Sequence, residues 1–221
     1  MNSCFKLENF NVSYQDLPAL KNISIEIQHG EKVAIIGPSG GGKTTLLKTL
    51  FKQNPNQISF IHQDYALVEQ LSVYNNVYIG KLNEFSTFEN IKNLLIPNKS
   101  CLVEIEEILN EVGMKKKLHT KVGELSGGQK QRTAIARSLY QNKDILLADE
   151  PVSSVDPHLA ENLFNKIINS TNTVITSMHN VELAKMYSTR LIGINNGNIV
   201  FDCNTENINS DKLNKLFNPT D

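Results

Sequence analysis

The sequence predicts an α/β protein on a mostly parallel sheet, with an antiparallel β region at its N-terminus and a helical block inserted in its middle. Three observations carry that expectation. Short apolar runs without alternation, VAII (33–36) and ILLA (145–148), fit strands buried on both faces. Amphipathic helix patterns stand between such runs. The opening of the chain instead alternates apolar and polar residues, as half-buried antiparallel strands do.

In order, FKLENFNVSY (5–14) and ISIEIQ (23–28) read as the antiparallel strands. KVAIIG (32–37) is a buried strand that runs into a glycine loop, and KTTLLKTLF (43–51) has a helix pattern. QISFIHQ (57–63) reads as a strand, and VEIEEILNEVGM (103–114) has helical spacing within a middle region spanning about 71–118. QKQRTAIARSLYQ (129–141) is an amphipathic helix, DILLADE (144–150) a buried strand, HLAENLFNKIINS (158–170) a helix and NTVITSMH (172–179) a strand. TRLIGINNGNIVFD (189–202) reads as a hairpin turning at Asn196-Gly197. SDKLNKLF (210–217) closes as a short helix with Ser210 as its expected cap. No Pro/Gly/Ser-rich linker divides the chain, so residues 1–221 read as one domain with a helical subdomain at roughly 70–140.

Composition narrows the classes. At 221 residues and 40% hydrophobic content, the chain can bury a full core and shows no disorder signature. A formal net charge of -1 gives no global basic field for nucleic acid, so no nucleic-acid partner is expected. Cys4, Cys101 and Cys203 lie far apart without a CxxC pair and read as reduced thiols. The start MNSCFKLENF lacks a basic region followed by an apolar run, so no signal peptide is expected. No apolar run approaches the ~20 residues of a membrane span. A protein of this kind works at a membrane only by docking onto something that crosses it.

GPSGGGKT (37–44) fits G-x-x-x-x-G-K-[ST] between a strand and a helix. Glycines at Gly37, Gly40, Gly41 and Gly42 let backbone N–H groups converge on phosphate oxygens, with Pro38 and Ser39 completing the loop. The helix behind points its positive end at the same anion. Lys43 adds a compact charge for the β/γ-phosphates, and the Thr44 hydroxyl, followed by Thr45, suits Mg²⁺. A nucleoside triphosphatase also needs a carboxylate for Mg²⁺ and a group to position water. Asp149 and Glu150, ending a buried strand, supply them in that order.

GPSGGGKTT, LSGGQKQR (125–132), ILLADEP, SSVD (153–156) and SMH (177–179) stand in the order and approximate spacing of the ATP-binding cassette (ABC) ATPases, which the chain resembles over almost its whole length. That resemblance implies a RecA-like P-loop NTPase fold, with ATP and Mg²⁺ as ligands. By the same resemblance, Gln63 contacts Mg²⁺ and the attacking water, and His179 reaches the γ-phosphate. Asp156 is implied to cross to a partner subunit's site, and Tyr14 to stack on adenine. Ser126, Gly127, Gly128 and Gln129 are implied to cap the γ-phosphate bound by a second copy, so two chains packed head to tail form two composite sites. Free N–H groups, a helix dipole and a serine hydroxyl suit that task for the same reason as in the first loop.

Within the family, IHQDYALVEQLSVYNNVYIGKL followed by LLADEPVSSVDP looks most like the ATP-binding subunits of phosphonate importers. That implies membrane permease subunits as direct partners, an exported substrate-binding protein as an indirect one, and a peripheral place on the cytoplasmic side of the cell membrane. Lipoprotein-release and cell-division cassettes share part of the LSVYNNV stretch and form the rival assignment; a soluble, non-transport cassette ATPase fits less well. One departure stands out. Only nineteen residues separate Lys43 from Gln63, about half the usual importer spacing, so KQNPNQ (52–57) stands in for a hairpin arm.

Overall fold

β1 (Ser3–Tyr14) and β2 (Leu17–Gln28) pair antiparallel as a two-stranded sheet in the computed structural model, which describes residues 3–218. Gln15 and Asp16 both take positive φ between them, the geometry that matches a tight hairpin to strand twist. Alternation buries Phe5 and Leu7 of β1 against Ile23, Ile25 and Ile27 of β2.

β3 (Lys32–Ile36) feeds α1 (Lys43–Gln53), and a single 3₁₀ turn over Pro55–Gln57 then leads into β4 (Ile58–Ile61). No strand lies between α1 and β4 among the described residues, so the short segment is a direct helix-to-strand connection. The strand expected over 57–63 is shorter than its sequence suggested. His62 and Gln63 leave it for a turn, where Tyr65 N–H donates to His62 O at 3.0 Å.

Next come α2 (Val73–Tyr78), α3 (Thr87–Leu95), α4 (Lys99–Glu111) and α5 (Gly127–Gln141). The helix expected to reach Met114 ends at Glu111, because Gly113 takes φ 68 and breaks it. β5 (Ile145–Asp149), α6 (Pro157–Asn169), β6 (Thr173–Met178) and α7 (Val181–Tyr187) follow, then β7 (Arg190–Asn195), β8 (Asn198–Asn204) and α8 (Ser210–Phe217). β7 and β8 turn at Asn196-Gly197, both with positive φ. The cap of α8 is Asn209, not Ser210. Its side chain accepts from Lys212 N–H at 3.0 Å, the carboxamide oxygen outreaching the serine one residue later.

The main sheet has the order β4-β5-β6-β3-β7-β8. β5, β6, β3 and β7 run parallel, and β8 pairs antiparallel with β7. Two compact units result. Among the described residues, the first holds 3–60, Asp144–Glu150 and 171–218; the second holds Ile61–Lys143 and Pro151–Ser170. In the first, α1 lies within one continuous core. Its Leu46, Leu47 and Leu50 pack with Val33 and Ile35, Ile145 and Leu147, Ile175, Ile192 and Ile194 of the sheet and with the hairpin's apolar side. The loop that begins α1 therefore hangs from a rigid helix.

In the second unit α2 packs on α4 and α5, and α3 is attached the reverse of the usual way. Its polar side faces in: Tyr74 and Tyr78 of α2 donate hydroxyl protons to Asn93 and Asn90, each at 2.8 Å. Its apolar side faces out, with Phe88 77% and Leu95 78% exposed and Ile91 exposed between them. A globular helix ordinarily buries that stripe. Among the described residues, no helix is long and apolar enough to cross a membrane.

Candidate functional site

β3 is buried at every apolar position, so it delivers the chain to the C-terminal edge of the sheet, where ligands bind in open α/β folds. There Gly37 turns sharply: a Cβ at that position would lie 2.0 Å from Ile194 O, which no side chain tolerates. The loop is braced by Gly41 N–H to Pro38 O at 3.1 Å and by Gly197 N–H to Gly41 O at 3.0 Å. Gly42 caps α1 at φ 112 and brings no side chain to the helix's first N–H groups. Those donors and the helix dipole are thus presented together to an anion.

Lys43 is the cation of this cradle and is only 5% exposed. Its ammonium donates to Gly37 O at 2.8 Å and Pro38 O at 2.9 Å. Burial pushes its pKa down, and the nearby carboxylates of Glu150 and Asp149 push it back up. Ser39 and Gly40 at the tip are exposed, while Thr44 and Thr45 in the first turn are half-buried.

Asp149 ends β5 at 2% exposure and stands in register with Ser177 of β6. The Ser177 hydroxyl donates to Asp149 Oδ1. Glu150 then takes φ 49, a left-handed turn uncommon for glutamate, and its N–H is held by Ser177 Oγ at 3.1 Å and Ser177 O at 3.3 Å. Glu150 Oε1 lies 2.6 Å from His179 Nε2. Hydroxyl and carboxylate oxygens such as those of Thr44 and Asp149 are hard donors that suit Mg²⁺. Among the described residues no group of three or more His, Cys, Asp or Glu forms a metal cage. Tyr14 ends β1 with its ring exposed.

The remaining candidates belong to the second unit. Ser126 caps α5 in a reciprocal box: its Oγ accepts from Gln129 N–H at 3.4 Å, and Gln129 Oε1 accepts from Ser126 N–H at 3.1 Å. A hydroxyl has one proton and two lone pairs, so accepting from Gln129 leaves that proton available to an anion. Gly127 is exposed and Gly128 half-buried; a Cβ on Gly128 would lie 2.8 Å from Ser154 O. Asp156 caps α6 by accepting from Leu159 N–H at 3.0 Å, and Gln63 is exposed in the turn after β4.

Sequence reasoning missed several residues that hold these in place. Gln131 Oε1 accepts from Ser154 N–H at 2.9 Å, and Tyr65 Oη meets Ser154 Oγ at 2.9 Å. Arg137 donates to Tyr65 O at 2.8 Å and Ala66 O at 2.6 Å, fixing two successive positive-φ residues downstream of Gln63. Ser177 was legible only as part of the SMH stretch; it lies in β6, and His179 follows just past the strand's end.

Compared with known proteins, residues 20–153 match the family model described as ABC transporter. The phosphonates import ATP-binding protein PhnC of Pseudomonas putida is 36% identical over 245 residues, covering 98% of this chain and 90% of the relative. The protein of the same name from Fusobacterium nucleatum is 33% identical over 246 residues, covering 98% and 99%. These alignments are longer than the chain itself, so the relatives carry stretches it lacks. Among solved structures, a dimeric bacterial ABC transporter cassette matches with TM-score 0.78 and 26% identity over 92% of this chain and 99% of that one. A dimeric post-hydrolysis cassette bound to ADP and Pi matches with TM-score 0.72, at the same identity and coverage.

Proposed function

The chain belongs to the ABC transporter family, and from that premise we propose that it is the ATP-hydrolysing subunit of a membrane importer for phosphonates. One observation carries the catalytic part: the Glu150 carboxylate, paired with His179, follows Asp149 at the end of β5, and both acids act on the buried ammonium of Lys43. A phosphate cradle, a metal carboxylate and a water-activating carboxylate in one unit are the parts hydrolysis needs.

In this reading the N–H groups of residues 37–45 and Lys43 bind the β/γ-phosphates, Tyr14 stacks on adenine, and Glu150 orients and polarises the attacking water. Thr44, Asp149 and Gln63 are the residues that would hold Mg²⁺, which would supply positive charge to neutralise the charge developing on the transferred phosphoryl group. His179 steadies the Glu150 carboxylate and reaches toward the γ-phosphate. Ser126, Gly127, Gly128 and Gln129 cap the γ-phosphate held by a second copy, and Asp156 crosses to that copy's site. Two chains then close head to tail around two ATP molecules, and loss of the γ-phosphate removes the differential affinity that keeps them closed. The whole chain acts as one cassette.

The outward apolar stripe of α3 supports docking to permease subunits, since a contiguous exposed patch of large apolar residues marks an interaction surface. Relatives named for phosphonates import support the cargo class, with an exported binding protein delivering it and the cassette lying on the cytoplasmic side of the membrane. The test is Glu150→Gln. ATP turnover is expected to fall at least ~10²-fold, as removal of a general base does, while ATP drives a stable dimer visible by size-exclusion chromatography. A Glu150→Gln protein that hydrolyses ATP at the parent rate would refute the assignment.

A further inference from the structure

Ser177 is fully buried, yet its hydroxyl hydrogen-bonds to both acids at the end of β5. Its hydroxyl proton goes to Asp149 Oδ1, and its oxygen accepts the Glu150 N–H at 3.1 Å. Its carbonyl accepts the same N–H at 3.3 Å. The first bond fixes the rotation of the Asp149 carboxylate. The second anchors a glutamate whose backbone sits at φ 49, where an L-residue is held only by its surroundings. Two residues further on, just past the end of β6, His179 takes the Glu150 side chain. One strand end therefore grips the metal carboxylate, the backbone of the catalytic carboxylate and its side chain.

We infer that Ser177 is a positioning residue for hydrolysis, setting the orientation in which Asp149 receives the metal and Glu150 receives water; this rests on the function proposed above. Packing alone does not explain it: a fully buried β-strand position that only filled space would be served by alanine or valine without a polar group to satisfy. Residues that orient a metal's protein ligands typically change metal affinity or activity 10–100-fold when removed.

The test compares Ser177→Ala with Thr176→Val, which removes the neighbouring buried hydroxyl, a donor to Ser177 O at 3.3 Å, and leaves the Ser177 hydroxyl in place. Ser177→Ala should raise the Mg²⁺ concentration for half-maximal ATPase roughly 10-fold. It should also weaken Mn²⁺ retention in the presence of ADP, read by electron paramagnetic resonance, while metal-free nucleotide binding stays at the parent level. Thr176→Val should leave the metal dependence unchanged, and Ser177→Thr, which keeps the hydroxyl, should restore it. If Ser177→Ala does not fold, Ser177→Cys, of similar shape but with a weak donor, carries the same comparison. An active parent whose Ser177→Ala or Ser177→Cys variant binds Mn²⁺ and responds to Mg²⁺ as the parent does overturns this inference alone. A folded parent without ATPase activity overturns the proposed function and this inference with it.

Discussion

Nε2 of His179 and Oε1 of Glu150 lie 2.6 Å apart, with the histidine the more exposed partner at 45% against 16%. The pairing follows from register. Asp149 stands opposite Ser177, so Glu150, one residue on, meets His179, two residues on, where both chains leave the sheet. Replacing His179 by alanine frees the Glu150 carboxylate from that contact, and kcat for ATP is expected to fall by about 10²-fold. Nucleotide affinity, measured by fluorescence titration, should change little, because the cradle of residues 37–45 is untouched. His179→Gln, which retains a donor, should recover part of the rate.

Ser126→Arg should abolish ATP hydrolysis while the isolated chain still binds nucleotide with nearly unchanged affinity. Ser126 and Gly127 are exposed at this cap, so an arginine there obstructs the face proposed to meet a second copy. Binding measured on monomer by equilibrium dialysis, set against turnover at high protein concentration, checks this. Loss of binding in the monomer would contradict a site shared between two chains.

The α3 surface gives a separable phenotype. Phe88→Asp with Leu95→Asp adds charge to a face that Asn90 and Asn93 do not use for attachment. The isolated subunit's ATPase and melting temperature should be preserved, whereas co-purification with permease subunits and transport should be lost. A double variant that still co-purifies would remove this face from the docking surface.

Cys4 provides a pH readout. Burial, reinforced by Glu31, pushes its thiol up to about 11, and the thiol donates to Ile27 O at 3.2 Å. An unfolded thiol ionises near 9.0, so between about 9 and 11 the unfolded chain binds fewer protons than the folded one. The contribution of this group to stability is therefore complete below pH 9 and is lost as pH rises through 11. Alkylation of Cys4, followed by mass spectrometry, should be slow at pH 8 in the folded protein and accelerate sharply toward pH 11.

What the sequence reveals depends on where the deciding contacts lie. The β3–loop–α1 unit is legible because its signals are local: a buried run, glycines, a lysine and a helix pattern follow one another. The same holds for the hairpin at Asn196-Gly197 and for the acids that end β5. α3 escapes a periodicity reading because its stripe points outward, and only the bonds from Tyr74 and Tyr78 reveal which side is attached. Ser177 escapes because its role exists only once β5 and β6 lie side by side. The cap at Asn209 was missed for a smaller reason: two adjacent residues were both good caps, and backbone geometry chose between them.

Lys43 sheds its water when the chain folds, since its ammonium is already seated on Gly37 O and Pro38 O. Stripping a cation of solvent is costly, and here that cost falls once in the lifetime of each molecule. An exposed lysine would have to be dehydrated afresh at every arrival of ATP. In the role proposed for Lys43, the hardest part of gripping fuel is moved out of the working cycle and into biosynthesis.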